Sequence, residues 1–170
     1  MKRLVLFLCY FSAQLSAAEL HGKVVRVADG DTITVLSSNN ERHKIRLLGI
    51  DAPEIKQVHG QRARQHLSDL VNGRKLTIIW QRRDKYRRII GKPLLDGRDV
   101  GLAQIEAGHA WHYKQYQGQQ LHADRAIYAA SEERARAARL GLWNDPNPIP
   151  PWDFRRRYTP PVQKTRIKSR

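Results

Sequence analysis

The sequence predicts an α+β fold that is mainly β, a five-stranded barrel with about three helices packed on it. Five short runs are rich in β-branched residues or alternate apolar with polar, and turn residues separate them. Three further segments carry their apolar residues at helical spacing. About 150 residues follow the N-terminal apolar run, a length that suits one domain.

The elements follow in order. Leu20 to Ala28 and Thr32 to Leu36 are alternating runs around Asp29-Gly30-Asp31, which reads as a hairpin. A turn at Ser37 to Asn40 leads into a third strand near His43 to Leu48, so the first three strands form a meander. Gly60 to Val71 places Ala63, His66, Leu67, Leu70 and Val71 helically and stops near Gly73. Lys75 to Trp80 and Ile89 to Leu95 are two more strands, with Pro93 pushing the second toward a sheet edge or bulge. Asp99 to Glu106 and Gln119 to Leu140 are predicted helices, the latter ended by Gly141. From 145 to 170 the chain is expected to be a Pro-rich basic tail without regular structure, because Asp145-Pro146-Asn147-Pro148-Ile149-Pro150-Pro151 can sustain neither a ladder nor a helix.

The N-terminus has the pattern of a secretory signal: Lys2-Arg3, an apolar run from Leu4 to Phe11, then Ser16-Ala17-Ala18. Cleavage after Ala18 makes 1–18 the signal peptide and 19–144 the folded domain, in a secreted or periplasmic protein that is not membrane-bound in its mature form. The apolar run is shorter than the ~20 residues of a membrane helix. Cys9, the one cysteine, leaves with the signal, so no disulfide, Cys-based metal site or thiol nucleophile is available. Removing Lys2 and Arg3 lowers Lys plus Arg from 31 to 29 against 16 Asp plus Glu, a net charge of +13. Such an excess attracts polyanions without distinguishing nucleic acid from lipid or acidic polysaccharide. The chain lacks a basic amphipathic helix with a broad apolar face, which argues against a membrane-active protein.

The chemistry-bearing residues gather at three places. Asp29-Gly30-Asp31-Thr32 puts carboxylates at a tight turn, Arg46 to Glu54 puts Arg46, Asp51 and Glu54 on a strand and its exit, and Asp84-Lys85-Tyr86-Arg87-Arg88 adds cations from another strand. Singly, each has a conformational or solvated-surface explanation. Together, carboxylates from a hairpin and a neighbouring strand can converge on a hard cation that prefers oxygen ligands. A third carboxylate is then free to act on water, and guanidinium groups can neutralise charge on a phosphate. His109 and His112 have the spacing of a metal pair but no third ligand nearby, and read as packing. Trp111, Tyr113 and Tyr116 are placed either to stack on bases or to pack between barrel and helix.

In order and spacing from Val24 to Arg88 these motifs resemble the staphylococcal (micrococcal) nuclease family: a valine-rich strand into Asp29-Gly30-Asp31-Thr32, then Arg46-Leu47 and Ile50-Asp51-Ala52-Pro53-Glu54, then Asp84-Lys85-Tyr86 ahead of Arg88. Ala107-Gly108-His109-Ala110-Trp111 and Ala138-Arg139-Leu140-Gly141-Leu142-Trp143 look like the family's later helical region, and Pro150-Pro151-Trp152-Asp153-Phe154-Arg155-Arg156 like extensions of bacterial relatives. The resemblance implies an OB-type Greek-key barrel and a calcium-dependent endonuclease that hydrolyses DNA and RNA and leaves 3′-phosphate ends. It implies that Asp31, Asp51 and the main-chain carbonyl of Ala52 hold Ca²⁺, that Glu54 is the general base or positions the water, and that Arg46 and Arg88 bind the phosphate. Asp29 would lie beside the ion rather than on it. Lys85 and Tyr86 would line the nucleotide site, Tyr116 joins them as a substrate-binding candidate, and a monomer is expected. Two positions depart from the pattern. Arg87 stands where the family has glycine, and Ala52 replaces a threonine, which a carbonyl ligand tolerates. The alternative class is a non-catalytic OB-fold nucleic-acid-binding protein, but binding polyanions gains nothing from clustered carboxylates.

Overall fold

The structure is a computed structural model and describes residues 18–158. The expected signal lies outside these residues except for Ala18. Strand β1 (Ala18–Asp29) is long enough to serve two neighbours. Its first half pairs antiparallel with β5 (Lys75–Arg83) and its second half with β2 (Thr32–Ser37). Register shifts between Val24 and Arg26 and between Val27 and Asp29 mark bulges that bend the strand from one partner to the other. β2 pairs with β3 (Arg42–Leu47), β5 pairs with β6 (Ile89–Leu95), and a parallel pairing of β3 with β6 closes the ring. The result is the predicted five-stranded barrel, mixed rather than purely antiparallel because of this last seam. Closure leaves none of the five strands with a long free edge.

Pro93 fits because only β5 flanks it: β3 pairs with Ile89 to Gly91, and the two-residue strand β7 (Arg98–Asp99) begins at Leu94. Val24, Ile33, Val35, Ile45, Leu47, Ile78 and Ile89 form the buried barrel core. Helix α1 (Gly60–Val71) adds Ala63, Leu67 and Val71 to the same core. α2 (Val100–Glu106) adds Val100 and Ile105, and α3 (His122–Ala137) adds Tyr128. α3 is shorter than predicted. Gln119 closes a 3₁₀ turn over Lys114–Gln119, and Arg139, at a positive φ of 52°, turns the chain before Gly141 is reached.

Two short strands pair apart from the barrel: β4 (Ile50–Asp51) with β8 (Trp111–His112). A second core of Trp111, Ala135, Leu142 and Trp143 lies beside them. His112 is buried, its Nε2 donates to Gln120 Oε1 at 3.0 Å and its ring packs edge-on against Tyr128, in line with the packing role read from the sequence. Against the expected unstructured tail, Pro151–Tyr158 forms helix α4. Its proline sits at the first helical position, where a missing N–H costs nothing, with Asp153 in the first turn and Arg155 to Arg157 in the last. Trp152 packs edge-on against Trp111 and flat on Tyr113, which ties α4 to the second core. Among the described residues no helix is long and apolar enough to cross a membrane.

Candidate active site

The site begins at the β1–β2 turn. Asp29 pairs with Thr32, leaving Gly30 and Asp31 as a two-residue connection, and Asp29 Oδ1 accepts from the Asp31 N–H at 3.0 Å. Glycine is required at position 30 by crowding: a Cβ there would lie 2.6 Å from Ala52 Cβ and 2.8 Å from Ala63 Cβ. The turn is thereby pressed between the β4 exit and α1. Gln104 of α2, fully buried, donates to the Gly30 carbonyl at 2.7 Å and to the Ala63 carbonyl at 3.1 Å, locking turn, α1 and α2 together.

Asp31 is 6% exposed and Asp51 1%. Asp31 Oδ2 accepts from the Ala52 N–H at 2.7 Å, and its Oδ1 accepts from the Thr32 hydroxyl at 3.0 Å. Asp51 is held by the pairing of β4 with β8, opposite Trp111. Arg46 lies across from Thr32 on β3, between buried Ile45 and Leu47, so strand alternation turns it out of the barrel toward the turn. One of its nitrogens, Nη2, stands 3.1 Å from Asp31 Oδ2 and 2.8 Å from Asp51 Oδ1, while Nη1 donates to the carbonyls of Leu47 and Ile50. The carboxylates of the hairpin and of the strand exit therefore converge on one guanidinium.

Electrostatics follow from this crowding of buried acids. Burial raises the Asp29 carboxyl, and the neighbouring Asp31 charge raises it further, to about 7. Burial also raises Asp51, partly offset by Arg155 and Arg46. Burial works against the Arg46 charge, yet Asp31 and Asp51 outweigh it and hold the guanidinium charged. Glu54, on the loop after β4, is half-exposed; its N–H donates to Gln57 Oε1 at 3.1 Å and its Oε1 accepts from Arg155 at 2.8 Å.

The β5–β6 hairpin forms the opposite wall. Asp84 Oδ1 accepts from the N–H groups of Tyr86 and Arg88, both at 2.9 Å, and Asp84 Oδ2 accepts from Arg88 Nε at 2.7 Å. Burial works against the Asp84 charge, but these bonds from Arg88 and Tyr86 hold its carboxyl below the usual range. Arg87 adopts the left-handed conformation with φ 63°, at a cost of about 1–2 kcal/mol that a glycine would avoid. Its side chain is exposed and outside the cleft, whereas Arg88 lines the cleft. Lys85 and Arg88 both lie over the ring of Tyr86, which is 68% exposed.

All nine predicted site residues line one cleft of about 690 Å³. Its floor is acidic: Asp29, Asp31, Asp51 and Glu54. Arg82, Arg83, Lys85 and Arg88 make its walls basic, while Arg46 lies at the floor between Asp31 and Asp51. Tyr116 is exposed at the rim, edge-on to Tyr113 at 4.8 Å, and so available to a ligand; Trp111 is buried and packs. Among the described residues no group of three or more His, Cys, Asp or Glu side chains is arranged as a metal cage. The donor set nevertheless suits a hard cation, which takes carboxylate, carbonyl and water oxygens. Two buried carboxylates, Asp31 and Asp51, reach the same point, and the four acids of the floor, Asp29, Asp31, Asp51 and Glu54, outnumber the guanidiniums of Arg46 and Arg155.

Sequence reasoning missed two residues. Gln104 positions the turn, and a single glutamine in a helix carries no signature. Arg155 reaches the cleft floor from α4, on a segment read as tail; a proline at a helix start followed by an acid and then three arginines was the available signal.

Similarity to known proteins agrees with this geometry. The profile of the family described as "Staphylococcal nuclease homologue" matches residues 44–145. An uncharacterized endonuclease of Escherichia coli is 42% identical over 155 residues, 91% of this chain and 95% of that protein. A micrococcal nuclease of Shigella flexneri is 42% identical over 148 residues, 82% of each chain. An uncharacterized endonuclease of Haemophilus influenzae is 38% identical over 134 residues, 79% of this chain and 72% of its own. With the barrel, the acidic turn and the basic walls in place, the chain belongs to the staphylococcal nuclease family.

Proposed function

We propose that the protein is an exported, calcium-dependent endonuclease that hydrolyses phosphodiester bonds of DNA and RNA and leaves 3′-phosphate ends. The observation that carries this reading is the meeting of Asp31, Asp51 and Arg46 at the floor of a cleft with basic walls and a third carboxylate, Glu54, beside it.

Asp31, Asp51 and the main-chain carbonyl of Ala52 would hold Ca²⁺, whose charge would stabilise the phosphate oxygens. Glu54 accepts a proton from the attacking water, for which its half-exposed carboxylate suits it better than the buried aspartates do. Arg46 and Arg88 donate to phosphate oxygens as negative charge grows on them. Arg88 must first leave Asp84, and Asp84 keeps the turn shaped through its bonds to the Tyr86 and Arg88 N–H groups. Lys85, Tyr86 and Tyr116 bind the flanking nucleotides, with exposed rings offered to bases.

The deciding experiment incubates the purified mature chain with plasmid DNA, single-stranded DNA and RNA, each with Ca²⁺, Mg²⁺ or chelator. Cleavage is expected with Ca²⁺. Absence of cleavage of every substrate in Ca²⁺ would leave a nucleic-acid-binding protein without activity. For the export part of the reading, the intact mass of secreted or periplasmic material should correspond to a chain starting at or near Glu19. Full-length chain found only in the cytoplasm would refute it.

A further inference from the structure

α4 brings into the cleft a guanidinium that the mechanism above leaves without a task. Arg155 Nη1 donates to Asp51 Oδ1 at 3.1 Å and to Glu54 Oε1 at 2.8 Å, and its Nη2 donates to Asp51 Oδ2 at 2.8 Å. It thus contacts both a carboxylate assigned to the cation and the carboxylate assigned to the water. The two arginines assigned to the phosphate have partners of their own: Arg46 pairs with Asp31, Asp51 and two carbonyls, and Arg88 with Asp84.

The backbone beneath Arg155 is anchored. Trp152, one turn earlier, stacks on Tyr113 with ring centroids 5.5 Å apart and planes 5° from parallel, and meets Trp111 edge-on at 5.5 Å. The Arg155 side chain is 39% exposed, whereas the Asp51 side chain it contacts is 1% exposed. A guanidinium offers the same planar fork to carboxylate and phosphate, so the exchange of one for the other keeps its geometry. A divalent cation and this fork require the same Asp51 oxygens, and like charges a few ångströms apart in a partly buried site repel strongly. A phosphodiester entering the cleft brings two non-bridging oxygens that share one negative charge, which can take the place of the carboxylate on the displaced fork.

We propose that Arg155 is a third phosphate-binding guanidinium of the cleft, which exchanges between the Asp51 and Glu54 carboxylates and the substrate phosphate and competes with the cation for Asp51. This rests on the cleft being a cation-dependent phosphodiester site. C-terminal helix α4 is then part of the active site.

Calorimetry separates the two halves of the claim. The wild type, Arg155→Gln, Arg155→Lys and Arg156→Gln are titrated with Ca²⁺ alone. They are then titrated with thymidine 5′-monophosphate, which has no internucleotide bond to cut, in saturating Ca²⁺. Arg155→Gln should bind Ca²⁺ about tenfold more tightly and the mononucleotide about tenfold or more weakly, the scale of a hydrogen-bonded charge. Arg155→Lys, which keeps charge without the fork, should fall between wild type and Arg155→Gln on both. Arg156→Gln, on the same helix but paired with Asp153, should match wild type on both. Unchanged mononucleotide affinity in Arg155→Gln and Arg155→Lys, or Ca²⁺ affinity that does not rise in Arg155→Gln, overturns the proposal. A wild type that binds no Ca²⁺ overturns the broader functional reading as well, so the two failures are distinguishable.

Discussion

At the residue scale, Glu54 and the Arg87–Arg88 pair make separable predictions. Glu54 sits outside both cores, so Glu54→Gln should leave the fold and nucleic-acid binding intact while lowering turnover by about 10²-fold or more. Unchanged turnover in steady-state assays would remove it from the mechanism. Asp31→Ala or Asp51→Ala should instead weaken Ca²⁺ affinity, and part of the lost activity should return at high Ca²⁺. Arg88→Ala should lower kcat on the order of 10²-fold or more, because it deletes a donor to charge that develops in the transition state. Arg87→Ala should leave kcat near normal and flatten the plot of log affinity against log salt by no more than about one unit. The exposed Arg87 side chain and the cleft-facing Arg88 are the geometric basis. A large kcat loss in Arg87→Ala with Arg88→Ala near normal would reverse the assignment.

At the scale of elements, legibility followed how local each signal was. The β1–β2 turn announces itself by Asp-Gly between alternating runs, and the β5–β6 hairpin by its flanking strands, so part of the floor and the basic wall of the cleft could be read from residues adjacent in sequence. The parallel seam of β3 with β6 joins residues more than forty positions apart, and no local pattern encodes it. α4 was obscured by the prolines before it: they forbid regular structure through Pro150, yet Pro151 starts a helix. What makes that helix dock is Trp152, whose partners Trp111 and Tyr113 lie about forty residues upstream. Gln104 was invisible for a related reason, since its two acceptors are backbone carbonyls of distant elements. Gln104→Leu should leave both carbonyls buried without this donor and destabilise the protein by about 1–3 kcal/mol in denaturant unfolding. It should also weaken Ca²⁺ binding, because the turn carrying Asp31 loses its tie to α2. Stability and Ca²⁺ affinity equal to wild type would show that Gly30 to Asp31 is positioned without it.

At the scale of the whole molecule, stability should depend on pH through a contact remote from the cleft chemistry. His59 Nε2 and His109 Nδ1 share a hydrogen bond at 2.8 Å, and the His66 ring lies against His109 with centroids 4.3 Å apart. The group joins the start of α1 to the segment between α2 and β8. Burial first, and then His66, His59 and Arg62, push His109 down to about 4; burial and Arg62 lower His59 as well. A histidine with a folded-state pKa below its unfolded value binds fewer protons when folded, so acid favours the unfolded chain. The contribution is neutral above about pH 6.5, where the ring is uncharged in both states, and the loss of stability grows as pH falls from there toward 4. Thermal unfolding at a series of pH values in chelator should show Tm falling across this window. His109→Asn, which cannot titrate, should have a lower Tm at pH 7.5 through lost packing yet a shallower fall between pH 6.5 and 4. If the slope in His109→Asn equals that of wild type, the histidine group is not the source of acid sensitivity.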